Sequence, residues 1–229
     1  SVGLAARLGA RGPSIPRALR AQALGWCTVI SAVCFDLDGT LGGYGGDFGG
    51  LLAVARSELG LEQCDMNRFA AILQQELRRD GPLDLATALA RTLERLEQRP
   101  PPDLADVAAR LTARYAADVR PAPGAAKLLE RLDAKGVKLA LLSNGPEDMQ
   151  RAALGALGFE RRFRVVLISG DRDVAVRKPD PRVFALACAG LETAPERVLM
   201  VGDDPVADVR GALDYGMHAV LVGPDKDGR

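Results

Sequence analysis

Short apolar runs recur along the chain, and most end on polar residues or glycine. Val29-Ile30-Ser31-Ala32-Val33-Cys34-Phe35 is rich in β-branched residues and bounded by Asp-Gly, which predicts a buried strand. Val137 to Leu142, Arg164 to Ile168, Arg197 to Val201 and His218 to Val222 repeat that pattern. Helical spacing fills the intervals between these later runs. Gly124 to Lys135 predicts a helix stopped by Gly136, and Asp180-Pro181 predicts an N-cap followed by proline at the first helical position, with the helix running to about Gly190. Asp204 to Tyr215 predicts a third helix, closed by Gly216. Strands alternating with helices predict an α/β fold: a Rossmann-like parallel sheet with helices on both faces. Ligands of such sheets bind at the carboxyl ends of the strands.

Residues 43–119 break the alternation. Phe69, Ile72, Leu73 and Leu77 are spaced as one helical face, as are Leu85, Ala88, Leu89, Leu93 and Leu96, and Leu104, Val107, Ala108 and Leu111. Strand-like runs are missing. The stretch predicts an inserted α-helical cap of roughly four helices, with Pro100-Pro101-Pro102 separating two of them and Arg120-Pro121-Ala122-Pro123 marking the return to the core. The expected organisation is therefore an N-terminal extension over 1–27, a catalytic core over 28–42 and 120–229, and the cap over 43–119. Gly42 to Gly50 is glycine-rich but lacks the Lys-Ser/Thr of a P-loop and opens no G-x-G-x-x-G helix, so it is read as a flexible connector that lets the cap move.

Composition narrows the function classes. The chain has 229 residues with 30 Lys+Arg against 30 Asp+Glu, and this balance gives no basic excess of the kind nucleic-acid binders carry. No apolar run reaches the ~18 residues of a membrane span. Cys27, Cys34, Cys64 and Cys188 show neither CxxC spacing nor clustering, so they are read as free thiols of a cytoplasmic protein rather than as a zinc site or a disulfide scaffold. Residues 1–35 contain no acid and carry Arg7, Arg11, Arg17 and Arg20. A transit peptide reads this way, although a surface-packed extension is preferred.

Candidate chemistry sits at the strand ends. Asp36 and Asp38, two apart on an extended segment before Gly39-Thr40, project to one side. Carboxylates so close either raise one pKa or invite a cation, and oxygen-only ligands suit Mg²⁺. Ser143-Asn144-Gly145 offers a hydroxyl and turn amides to phosphate oxygens. Arg177-Lys178-Pro179-Asp180-Pro181 places a lysine before proline. The fourth strand ends at Gly202-Asp203-Asp204, with Asp208 further along. Each signal alone has a bland reading: Asp-Gly and Ser-Asn-Gly are common turn sequences, and Asp204 can serve only as a helix cap. Their arrival at successive strand ends makes a site, because the fold brings those ends together.

These residues resemble the haloacid dehalogenase-like hydrolase superfamily. Phe35-Asp36-Leu37-Asp38-Gly39-Thr40-Leu41 is similar to its first motif and Leu142-Ser143-Asn144-Gly145 to its second. Arg177-Lys178-Pro179-Asp180-Pro181 is similar to the third, and Gly202-Asp203-Asp204-Pro205-Val206-Ala207-Asp208 to the fourth. A helical insertion between motifs one and two resembles the cap of the subgroup that includes phosphoglycolate, nucleotide and sialic-acid phosphate phosphatases. The resemblance implies a Mg²⁺-dependent phosphatase of a small phosphorylated metabolite. Asp36 is then the nucleophile, Asp38 the acid/base, and Ser143 and Asn144 the phosphate holders, while Lys178 offsets charge. It also implies Mg²⁺ on the Asp36 carboxylate, the Asp38 main-chain carbonyl and Asp203, with Asp204 and Asp208 in support. Gly42 and Gly43 depart from the pattern, since many relatives carry an acid soon after the leucine. Dehalogenases of the superfamily lack the second acid, because a halide leaving group needs no proton, so Asp38 disfavours that chemistry. A phosphomutase acting on a sugar phosphate and a non-catalytic binding protein are the other readings. Arg177 is expected at the surface or against a second anionic group of the substrate; His218, Trp26 and Met217 are expected to be structural.

Overall fold

The computed structural model describes residues 29–223; the N-terminal stretch, with its extension-or-targeting reading and Trp26, lies outside the described residues. Five strands form one parallel sheet: β1 (Ala32–Phe35), β4 (Lys138–Ser143), β5 (Val165–Ile168), β6 (Val198–Gly202) and β7 (His218–Leu221), in the order β5-β4-β1-β6-β7. β1 is central, pairing Phe35 with Leu141 on one side and with Val201 on the other. Its side chains alternate as a pleated strand requires. Ala32 and Cys34 enter one core cluster with Phe184, Leu191 and Met200, whereas Val33 and Phe35 enter another with Leu129, Leu141 and Leu154. Helices α5 (Ala125–Asp133) and α6 (Glu147–Leu157) supply the second cluster, and α7 (Pro181–Leu191) and α8 (Gly211–Tyr215) the first. The expected α/β fold with a doubly covered parallel sheet is the fold of the molecule.

Four helices stand between β1 and the rest of the sheet: α1 (Phe48–Glu58), α2 (Met66–Glu76), α3 (Leu85–Arg95) and α4 (Leu104–Ala117). They have their own apolar cluster, in which Phe69, Ala88, Leu89 and Leu93 are fully buried. Asp65 and Asp84 start α2 and α3 by accepting from the Arg68 and Thr87 amides, as aspartate N-caps do. Among the described residues no helix is long and apolar enough to cross a membrane.

Two sequence expectations are corrected here. Gly42–Tyr44 is not a free connector but strand β2, paired antiparallel with β3 (Val119–Pro121), so both chain crossings into the helical insertion are tied by one small ladder. Glycine serves that ladder by size, since a Cβ at Gly42 would stand 2.7 Å from the Arg120 carbonyl. Asp204 to Tyr215 is not one uniform α-helix. Pro205–Arg210 is π-helical, with Val209 N donating to Asp204 O, and α8 only then begins. This wider coil turns the Asp208 carboxylate back onto the start of the segment, where it accepts from Asp204 N at 3.0 Å.

Candidate active site

Asp36 leaves the end of β1 with its amide donating to Val201 O at 2.9 Å, so the sheet itself sets its position. The side chain is buried, and its Oδ1 lies 2.6 Å from Lys178 Nζ. Loss of water pushes the carboxyl up to about 6; Lys178 pulls it down, and Asp208 and then Asp38 add to the rise. Lys178 is almost wholly enclosed. It donates to Asp36 and to Leu142 O at 2.6 Å, and its ammonium stands 2.7 Å from Asp208 Oδ1 in a close ion pair. Burial alone would depress its pKa, but the two carboxylates outweigh burial and raise it. Asn144 fixes the lysine's backbone from both sides, donating to Lys178 O and accepting from Lys178 N, each at 2.9 Å. Its side chain therefore positions Lys178.

Asp203 closes the group. The carboxylates of Asp36, Asp203 and Asp208 offer oxygens that all lie within 4.8 Å of one another. Gly39, at φ +81°, sits directly under Asp203, where any Cβ would overlap its carboxylate. Restricted hydration and then Asp208 raise the Asp203 carboxyl. Three carboxylates against the single positive charge of Lys178 leave an acidic, all-oxygen donor set, which fits a hard divalent cation such as Mg²⁺. Asp38 contributes no carboxylate to this set. Asp204 caps the segment that carries Asp208, accepting from the Val206 and Ala207 amides at 2.8 Å.

Asp38 is held by partners other than the lysine. Its Oδ2 accepts from Gln150 Nε2 at 2.9 Å and its Oδ1 from the Tyr115 hydroxyl at 3.3 Å. Gln150 also accepts from Ser143 Oγ at 2.6 Å, so Ser143, Gln150 and Asp38 form one chain of hydrogen bonds. The Tyr115 ring stacks on Tyr44 at 5.3 Å, and Tyr44 meets the half-exposed Phe48 edge-on at 6.2 Å. An aromatic wall thus runs from Asp38 to the surface.

Arg177 corrects another expectation. It is half-buried rather than on the surface, and its guanidinium reaches the Leu77 and Arg79 carbonyls after α2, at the long distance of 3.5 Å. Those carbonyls belong to the helical insertion. His218 is an exposed edge residue near Glu196 O, and Met217 packs in the core.

Gln150 and Tyr115 escape the strand-end logic because they lie on helices. Each has a signal of its own, a polar group within an apolar stripe: Gln150 with Ala153 and Leu154 on α6, and Tyr115 continuing Val107, Ala108 and Leu111 on α4.

Comparison with known proteins adds three kinds of likeness. A family model described as haloacid dehalogenase-like hydrolase matches residues 30–216. The chain is 32% identical to a ribulose-1,5-bisphosphate 5-phosphatase of Halopiger xanaduensis over 211 residues, covering 87% of each chain. It is 46% identical over 100 residues to a phosphoserine phosphatase of Thermus thermophilus, a match spanning 44% of this chain and 39% of that one. The solved L-2-haloacid dehalogenase of Xanthobacter autotrophicus is similar with a TM-score of 0.58 and 29% identity, over 85% of this chain and 78% of the other. Both phosphatases and dehalogenases stand among the similar proteins.

Proposed function

The chain belongs to the haloacid dehalogenase-like hydrolase family, and on that premise we infer that it is a phosphatase acting on a small phosphorylated metabolite. Asp38 carries this reading against dehalogenation. It lies two residues from the buried Asp36 and is held on both oxygens by Gln150 and Tyr115, as a group that must meet a leaving alkoxide would be. A departing halide has no use for a proton.

In this mechanism an Asp36 oxygen attacks phosphorus as the ester P–O bond breaks, giving an aspartyl-phosphate. Asp38 delivers its proton to the leaving oxygen. It then takes one from water, which attacks the aspartyl-phosphate and releases inorganic phosphate. Lys178, fixed through Asn144, keeps Asp36 oriented and offsets charge on the phosphoryl group; the Asn144 main-chain amide holds a phosphate oxygen, and the Ser143 hydroxyl does so by turning its one proton from Gln150 to the phosphate. Asp36, Asp203 and the Asp38 carbonyl would hold Mg²⁺, with Asp208 and Asp204 supporting from behind. When bound, the ion supplies positive charge to the phosphoryl oxygens. The free thiols Cys34, Cys64 and Cys188 accord with a cytoplasmic setting.

The test is a screen of phosphorylated metabolites with Mg²⁺, repeated on Asp36→Asn. That variant should lose activity by about a thousandfold or more while still folding, as its far-ultraviolet circular dichroism reads. Full activity in Asp36→Asn would sink the nucleophile assignment, and turnover that survives chelation would count against the metal.

A further inference from the structure

Gln150 joins two parts of the site that arise far apart in the chain. The side chain is 5% exposed and lies on the inward face of α6, where an unpartnered carboxamide would be costly. Both of its ends are satisfied, and by polar groups of the site: Oε1 accepts from Ser143 at 2.6 Å, and Nε2 donates to Asp38 at 2.9 Å. Asp38 sits on a turn, where its carboxylate is otherwise free to rotate about its last torsion. Gln150 holds one oxygen from the core and Tyr115 the other from α4 of the insertion, so the carboxylate plane is fixed at two points from two different elements. Such fixing matters for proton transfer, which needs the donor oxygen within hydrogen-bond reach of the leaving oxygen.

We propose that Gln150 is a positioning residue for the proton transfer: its amide donates to Asp38 and sets the plane of that carboxylate beside the end of β4. The proposal rests on the phosphatase reading. As the bond from Asp36 to phosphorus forms and the ester P–O bond breaks, the Asp38 proton passes to the alkoxide oxygen. Gln150 itself exchanges no proton and acts only through Asp38.

Leaving groups that need no proton separate this role from a structural one. The measurement is kcat/KM on glycerol 2-phosphate and on 4-nitrophenyl phosphate, since kcat/KM reports formation of the aspartyl-phosphate and excludes its later hydrolysis. Gln150→Met should lower the value on glycerol 2-phosphate by about tenfold or more, and by less than about threefold on the aryl ester, whose anion leaves unaided. Should Gln150→Met melt early, Gln150→Asn keeps a carboxamide on the helix but draws the donor back from Asp38 by one methylene, and it should show the same skew. Tyr115→Phe should skew in the same direction by about threefold. Equal losses on both esters in the Met and Asn variants would overturn the proposal. Asp38→Asn is the reference: it should show the skew at its largest. If it shows none, the fault lies in the acid assignment, and the role of Gln150 falls with it.

Discussion

The strand ends and the seam where the helical insertion meets the core are held in opposite ways. At the strand ends the forces are ionic and buried: Lys178, Asp36 and Asp208 are 4%, 7% and 1% exposed, and each is fixed by another. Around Leu83 and Leu85, at the seam, the insertion is held through its main chain. Leu83 N donates to Gly170 O at 3.0 Å, Glu147 N donates to Leu83 O at 2.8 Å, and the Asp148 carboxylate accepts from Leu85 N at 3.0 Å. A buried ion network tolerates almost no substitution, because removing one charge strands its partners. A main-chain seam reads backbone shape and permits most side chains, provided nothing pushes the two surfaces apart. The candidate site is therefore locked in one region, while the other leaves room for the insertion to differ without disturbing it.

Lys178→Met should produce the largest effect. It removes the ammonium and leaves Asp36 and Asp208 facing each other without water, and breaking a buried pair in this way costs about 3–5 kcal/mol. Urea unfolding of the metal-free protein measures it. A loss under about 1 kcal/mol would mean that the strand-end network behaves like an exposed pair, and the contrast would fail. Gly170→Ala should come second. A Cβ there would meet the Leu83 carbonyl across the seam and stand 2.6 Å from Glu147 N and 2.7 Å from Gly145 O on the core side, all of them backbone atoms. The expected cost is about 1–3 kcal/mol, with faster amide exchange at Leu83 and Glu147. A cost equal to that of Lys178→Met would show the seam to be as rigid as the site.

The same contrast governs how much the sequence could disclose. Strands buried on both faces announce themselves as apolar runs, and a site at their ends inherits that clarity: Asp36, Asp38, Ser143, Lys178 and Asp203 are all visible by position. The β2–β3 ladder is not, because Gly42-Gly43-Tyr44 has no strand-like composition and its partner lies on the far side of four helices. Gln150 looks like an interior irregularity until the fold sets it between Ser143 and Asp38. Arg177 reads as a surface cation because its partners are carbonyls, which carry no residue signature. The π-helical turn before α8 differs from an α-helix by a single extra residue per turn, and its purpose, returning Asp208 to Asp204 N, is a matter of three-dimensional closure.

Asp148 offers the smallest and most discriminating change, because here a side chain takes the backbone's place beside the main-chain bonds of Leu83. Its carboxylate accepts from Leu85 N and from its neighbour Met149 N, and it sits half-buried close to Asp84. Burial raises its carboxyl above the usual carboxylate range, Asp84 adds to the rise, and the amide donors oppose it. An acid whose folded pKa is raised binds its proton more readily folded than unfolded, so its contribution to stability is fully present below the unfolded pKa. That contribution is lost as pH rises through the folded value. Asp148→Asn keeps a carbonyl for Leu85 N and removes the half-buried charge. Relative to wild type it should be neutral or more stable at pH 7, with the advantage shrinking as pH falls towards the unfolded carboxylate value. Asp148→Ala removes the acceptor altogether and should cost about 1 kcal/mol, as the loss of a helix cap does. Melting temperatures of the three proteins at pH 4 and pH 7 decide it. A gap between wild type and Asp148→Asn that stays constant across that range would mean that the carboxylate is as well solvated as an ordinary surface acid, and that the seam is held by its main-chain bonds alone.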